Sequence, residues 1–152
     1  MRGDRVTETA VGLAVDADTP QLWNPLGIAL WSLLFTPAFG AWLQMYNYRR
    51  LGDYARADAA RRWCMAGLLV LAWNAVASAV GTRLGLESPL FDWVNGLMFV
   101  AWMVATLPAH VRAAGVSYAR RTWDSVVVLG MLAALAYLAA SLVLRLMLAE
   151  LT

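Results

Sequence analysis

The chain has 152 residues, 61% of them hydrophobic and only 14% charged, a balance that excludes an ordinary soluble domain and leaves a single-domain integral membrane protein. Its net charge is +2 with no lysine, and the arginines sit beside apolar runs where membrane orientation explains them, so nucleic-acid binding is not implied. One cysteine and one histidine exclude an intrachain disulfide, a multi-cysteine metal site and a cluster of imidazole ligands, and no cofactor is expected.

Residues 1–22 read as a polar, on balance acidic tail with no basic segment leading into a cleavable signal, so the first span is expected to direct insertion itself. Residues 26–46 carry no charge, and about 20 apolar residues at about 1.5 Å rise match a hydrocarbon core of about 30 Å. Trp23 and Trp42 lie near the ends of this span and Arg49 and Arg50 follow it. Pro37 after Thr36 predicts a mid-span kink, with Gly40 admitting a close neighbour. The loop 49–62 brings five arginines, Arg49, Arg50, Arg56, Arg61 and Arg62, on a length that suits a short helix lying at the interface and gripping anionic lipid headgroups.

Three further spans follow at about 63–80, 93–109 and 125–148, the third ended by Pro108 and His110. The expected architecture is therefore an all-α, four-helix membrane bundle over residues 23–152. Eight of the twelve arginines fall in the loops 47–62 and 110–124, which places those loops in the cytoplasm and both termini in the periplasm. Trp31, Pro37 and Arg49-Arg50 recur at the same spacing as Trp102, Pro108 and Arg120-Arg121, a pattern compatible with two related helical hairpins.

Within the spans, Asn74, Ser78 and Asn95 are polar and need partners, either across helices or around a ligand notch. No acidic or basic residue lies deep in a span, so an ion-coupled carrier is poorly supported. His110 beside Arg112 is an interfacial or capping histidine, or a site for a lipid phosphate. Cys64 lies near Arg61 and Arg62, in surroundings that lower a thiol pKa, or else serves as a small hydrophobe. Trp31, Trp73 and Trp102 sit away from span ends and either pack or line an aromatic pocket. No nucleophile and base pair, metal-ligand spacing or phosphate loop is present, so an enzyme is not expected.

The segment WNP followed by FTPAFGAWLQMYNYRRLG resembles small multi-span bacterial inner-membrane proteins of unassigned function. Trp23, Asn24, Pro25, Phe35, Pro37, Phe39, Gly40, Asn47, Arg49, Leu51 and Gly52 carry the likeness, and Tyr48 departs from a position that is often tryptophan in that family. The resemblance covers about a quarter of the chain and implies a bacterial cytoplasmic-membrane setting with no activity to transfer.

Three functions fit these observations. The first is a non-enzymatic immunity protein that neutralises a membrane-inserting toxin, packing on it through small-residue faces at Gly40, Ala77, Gly81, Gly130 and Ala134. The second is a subunit of an oligomeric channel or transporter, with another copy of itself as partner. The third is a lipid-binding accessory protein.

Overall fold

A computed structural model describes residues 19–85, 90–115 and 118–150, so most of the expected polar tail, residues 1–18, lies outside the described residues. The described residues form five helices, α1 (Pro25–Leu34), α2 (Pro37–Arg50), α3 (Tyr54–Leu84), α4 (Leu90–Ala114) and α5 (Asp124–Glu150), and two short strands, β1 (Gln21–Leu22) and β2 (Ala119–Arg120). Three stretches, Tyr54–Leu84, Trp93–Ala114 and Asp124–Glu150, are long and apolar enough to cross a membrane, with mean hydropathies of 1.7, 1.5 and 2.5. Their outward faces carry bare hydrophobics such as Leu69, Val104, Leu135 and Met147.

The first predicted span is not one helix. Both halves of 26–46 begin with the same local device, a side-chain cap followed by proline at the first helical position. Asn24 Oδ1 accepts from the Leu26 amide at 3.0 Å ahead of Pro25, and Thr36 Oγ1 accepts from the Phe39 amide at 3.2 Å ahead of Pro37. Thr36 itself is fully extended, and there the chain turns back on itself. Trp23, just before α1, consequently meets Asn47 near the end of α2, while Ser32 late in α1 lies against Gly40 early in α2. The kink expected at Thr36-Pro37 is thus the tip of an antiparallel helix pair, and α1, at about 15 Å, reaches only halfway along the bundle.

Other expectations are corrected by the same geometry. No separate interfacial helix spans 49–62, because Arg49 and Arg50 end α2 and Arg56, Arg61 and Arg62 begin the long α3. The two helices are joined at Leu51-Gly52-Asp53, where Gly52 takes a φ of 73° and Asp53 caps α3 through the Arg56 amide. Pro108 does not end α4, which continues to Ala114. The repeat seen in the sequence has no structural counterpart, since Pro37 opens a helix after a reversal and Pro108 lies inside one.

The placement of Gln21–Leu22 differs too. The residues before α1 were expected opposite the two arginine loops, yet β1 pairs in parallel with β2, Gln21 to Ala119 and Leu22 to Arg120. The Arg121 amide donates to Leu22 O at 2.9 Å, and Trp23 Nε1 donates to Thr122 O at 3.0 Å. Residues 21–24, the α2–α3 turn and residues 110–115 and 118–123 therefore gather at one end of the molecule, with Leu84 and Glu150 at the other. The core lies toward the arginine end, around Leu22, Trp23, Ile28, Leu43, Trp102 and Val126.

Candidate functional site

Polar groups buried among the helices fasten the hairpin in place. Asn47 is fully buried, accepts from the Trp23 amide at 3.1 Å and donates from Nδ2 to Trp23 O at 2.8 Å. These two bonds fix which end of the amide is nitrogen. Nδ2 also lies 3.1 Å from His110 Nε2, so that ring nitrogen accepts and the proton of the neutral imidazole belongs on Nδ1. An imidazolium would set one N–H against another. Nδ1 is buried without a partner, and the ring packs on Tyr48 at 5.1 Å between centroids.

One turn deeper, buried Gln44 donates to Thr106 Oγ1 at 3.0 Å and accepts from Trp102 Nε1 at 3.2 Å. Thr106 in turn donates back to Trp102 O at 2.8 Å. Gln44 and Asn47, three residues apart on α2, thus each grip α4. Gly40 continues the contact, because a Cβ there would strike Ser32 Oγ and come within 2.6 Å of the Trp102 ring.

Beyond the hairpin tip the three long helices line a laterally open cavity of about 1090 Å³. Thr36, Pro37 and Phe39 roof it, and its walls include Leu71 and Ala75 of α3, Asn95 and Phe99 of α4, and Ala134 and Ser141 of α5. α3 packs against both α4 and α5, and those two diverge from each other around this space. The lining is almost wholly apolar. The Tyr137 hydroxyl donates to Leu71 O at 3.3 Å, and Ser141 Oγ is a buried oxygen with no partner among the described residues.

At the arginine end, an aromatic and cationic cluster caps the hairpin. The Arg121 guanidinium lies 4.4 Å from the centroid of Trp23 and 5.1 Å from that of Tyr46. Arg50 lies 5.5 Å from the same Tyr46 ring and donates to its hydroxyl at 3.2 Å.

The residues singled out from sequence are distributed as follows. Asn95 and Ala134 line the cavity, as do Thr36 and Pro37. Asn74 is buried with Oδ1 unpartnered, and Ser78 accepts from Arg145 at 2.6 Å, which draws that arginine along α3. Ala77 and Gly81 are buried on the Asn74 face of α3, and Gly130 is filled by the Phe35 ring, which a Cβ there would meet at 2.6 Å. Gly40 and Gly130 are therefore occupied within this chain, and Ala77 and Gly81 are not exposed. Arg56 pairs with Asp53 at 2.7 Å, while Arg49, Arg61 and Arg62 are exposed. Cys64 is a half-buried free thiol on the cavity wall. The three central tryptophans form no common pocket, since Trp102 is fully buried, Trp73 is 59% exposed, and Trp31 stacks on Phe35.

The sequence reading missed Gln44, Asn47 and Thr106 as a polar set, and Arg121 as a partner of Arg50. A signal for the first was available, because Gln44 and Thr106 are polar residues inside two predicted spans and each must find a partner there. No protein-family model, curated protein or solved structure matches the chain.

Proposed function

We propose that this chain is a non-enzymatic protein of a bacterial inner membrane that holds the apolar chain of a lipid in the cavity beneath its hairpin. In this reading α3, α4 and α5 cross the bilayer and α1–α2 is a re-entrant hairpin that enters and leaves on one side. Irregular backbone at that depth is tolerated where it lines a cavity, and Thr36 and Pro37 at the reversal do so. Eight of the twelve arginines lie in the loops at the end shared by Gln21–Leu22, so that end faces the cytoplasm and Glu150 the periplasm.

The observation that carries the proposal is the cavity. An open cavity of about 1090 Å³ between apolar walls offers an acyl chain dispersion contacts on several sides at once. It lies just above the range of about 300–1,000 Å³ typical of ligand sites. Hydrocarbon is the material that surrounds it in a bilayer, and an acyl chain makes no demand on polar groups that the lining lacks. A channel is less well supported because the lining offers few polar atoms to an ion or hydrated solute. Toxin neutralisation is less well supported because two of the five small-residue positions invoked for it, Gly40 and Gly130, already hold Ser32, Trp102 and Phe35.

Photocrosslinking in nanodiscs with a phospholipid bearing a diazirine in its tail tests the proposal. Labelling is expected to concentrate on lining residues such as Phe99 and Leu71, and Ala134→Trp, which fills the space, is expected to abolish it. Labelling of Leu135 and Leu142 on the outer face as strong as that of the lining, unchanged by Ala134→Trp, would refute it.

A further inference from the structure

We propose that Arg50, Arg121 and Tyr46 form a binding site for a phosphate group, presented by the headgroup of a lipid whose chain runs toward the cavity. The site deepens the proposed function and rests on it for the placement of the chain. Two guanidinium groups lie on one phenol ring, 5.1 and 5.5 Å from its centroid, and repel each other there. Among the described residues no carboxylate is paired with Arg50 or Arg121 to offset its charge. An anion set between them turns that repulsion into two attractions.

The geometry is prepared for a planar or tetrahedral oxyanion. Trp23 is held by Asn47 through its backbone and by Thr122 through its indole, and its face in turn fixes the plane of Arg121. Arg121 is thereby held against the Trp23 and Tyr46 rings, 4.4 and 5.1 Å from their centroids, and its guanidinium has five N–H donors to divide between Tyr46 and a phosphate. Arg50 donates to the Tyr46 oxygen, so the phenol proton is free to be given to a phosphate oxygen. Preorganisation of this kind reduces the ordering that binding would otherwise require.

The position on α2 connects the site to the cavity. Trp42 and Phe39, four and seven residues before Tyr46, lie on the same helix face and both line the cavity. A headgroup at Tyr46 therefore has its chain along Trp42 and Phe39 toward the space beyond. The site lies at the end of α2, outside the three long helices, and Arg121 first and Arg50 second hold the Tyr46 phenol down to about 8. Above that pH the phenolate takes up the two cations and competes with phosphate.

The test uses the full chain in nanodiscs with two tail-diazirine probes, phosphatidic acid and diacylglycerol, which differ in the phosphate. Phosphatidic acid is expected to label at a concentration about tenfold lower than diacylglycerol, as one charge-assisted contact supports. Arg121→Gln and Arg50→Gln are each expected to erase that advantage while labelling by diacylglycerol persists, and Arg61→Gln, with an exposed side chain, to keep it. Tyr46→Phe preserves the ring and is expected to remove the loss of binding above about pH 8. Equal labelling by the two probes, or an Arg61→Gln effect as large as that of Arg121→Gln, would overturn the phosphate site. Displacement of phosphatidic acid by equimolar glycerol 3-phosphate would overturn the lipid as the source. If neither probe labels the lining, the cavity reading fails, and preferential retention of phosphatidic acid in native mass spectra then still reports on the arginines.

Discussion

Replacing Asn47 by leucine keeps roughly the same volume and removes the amide, so the effect isolates the polar latch. Three groups lose their partner: the Trp23 amide, bonded at 3.1 Å, the Trp23 carbonyl, at 2.8 Å, and His110 Nε2, at 3.1 Å. Hydrogen bonds are worth about 1 kcal/mol each in proteins and about 0.6 kcal/mol on average within membranes. Three of them give about 2–3 kcal/mol. Equilibrium unfolding of the purified variant in mixed micelles, followed by far-ultraviolet circular dichroism, is expected to show a loss of that size. His110→Leu removes one of the three bonds and is expected to cost about 1 kcal/mol. The double variant should fall short of the sum, because the shared bond is counted in both singles. A loss below about 0.5 kcal/mol for Asn47→Leu, the range of ordinary surface changes, would refute the latch.

Three further outcomes are expected. In a chain with Cys64 replaced by alanine, single cysteines at Gln21 and Arg49 should react with an impermeant maleimide from the same side of the membrane and one at Glu150 from the other; reaction of Gln21 together with Glu150 would contradict the re-entrant hairpin. Gly40→Ala drives a Cβ into Ser32 and Trp102 and should destabilise the fold by about 1–3 kcal/mol, and Ser32→Gly should recover part of that loss; a neutral Gly40→Ala would show that the helices separate freely. Asp53→Ala removes both the cap of α3 and the ion pair to Arg56, and a thermal shift corresponding to about 1 kcal/mol is expected; no shift would mean that the α2–α3 turn holds without its cap.

The long helices were legible because hydropathy alone dictates them, as in Asp124–Glu150 with its mean hydropathy of 2.5. The reversal was not, since the run 26–46 is apolar whether the chain continues straight or doubles back. The local chemistry did carry a hint. Asn24-Pro25 and Thr36-Pro37 are the same cap-and-proline pair twelve residues apart, which marks two helix starts better than it marks one kinked helix. His110 was misplaced for a related reason, because Pro108 was read as a helix end and the helix absorbs it. Arg121 was invisible as a partner of Arg50, since 71 residues separate them and only the β1–β2 pairing brings them onto one ring. Trp23, Asn24, Pro25, Pro37, Gly40, Asn47 and Gly52, all legible in the sequence, are residues that cap, turn and fasten the hairpin.

Because the hairpin stops halfway, the protein has an uneven outline. At the arginine end five helices stand side by side, and at the opposite end only three remain. With each helix about 10 Å across, the two faces of a bilayer would be asked to yield different areas to the same molecule. A tapered solute of this kind is accommodated most easily where the lipid sheet already bends, with the broad end on the more crowded monolayer's opposite. In the proposed orientation, that outline would favour curved membrane over flat, independent of anything the chain binds.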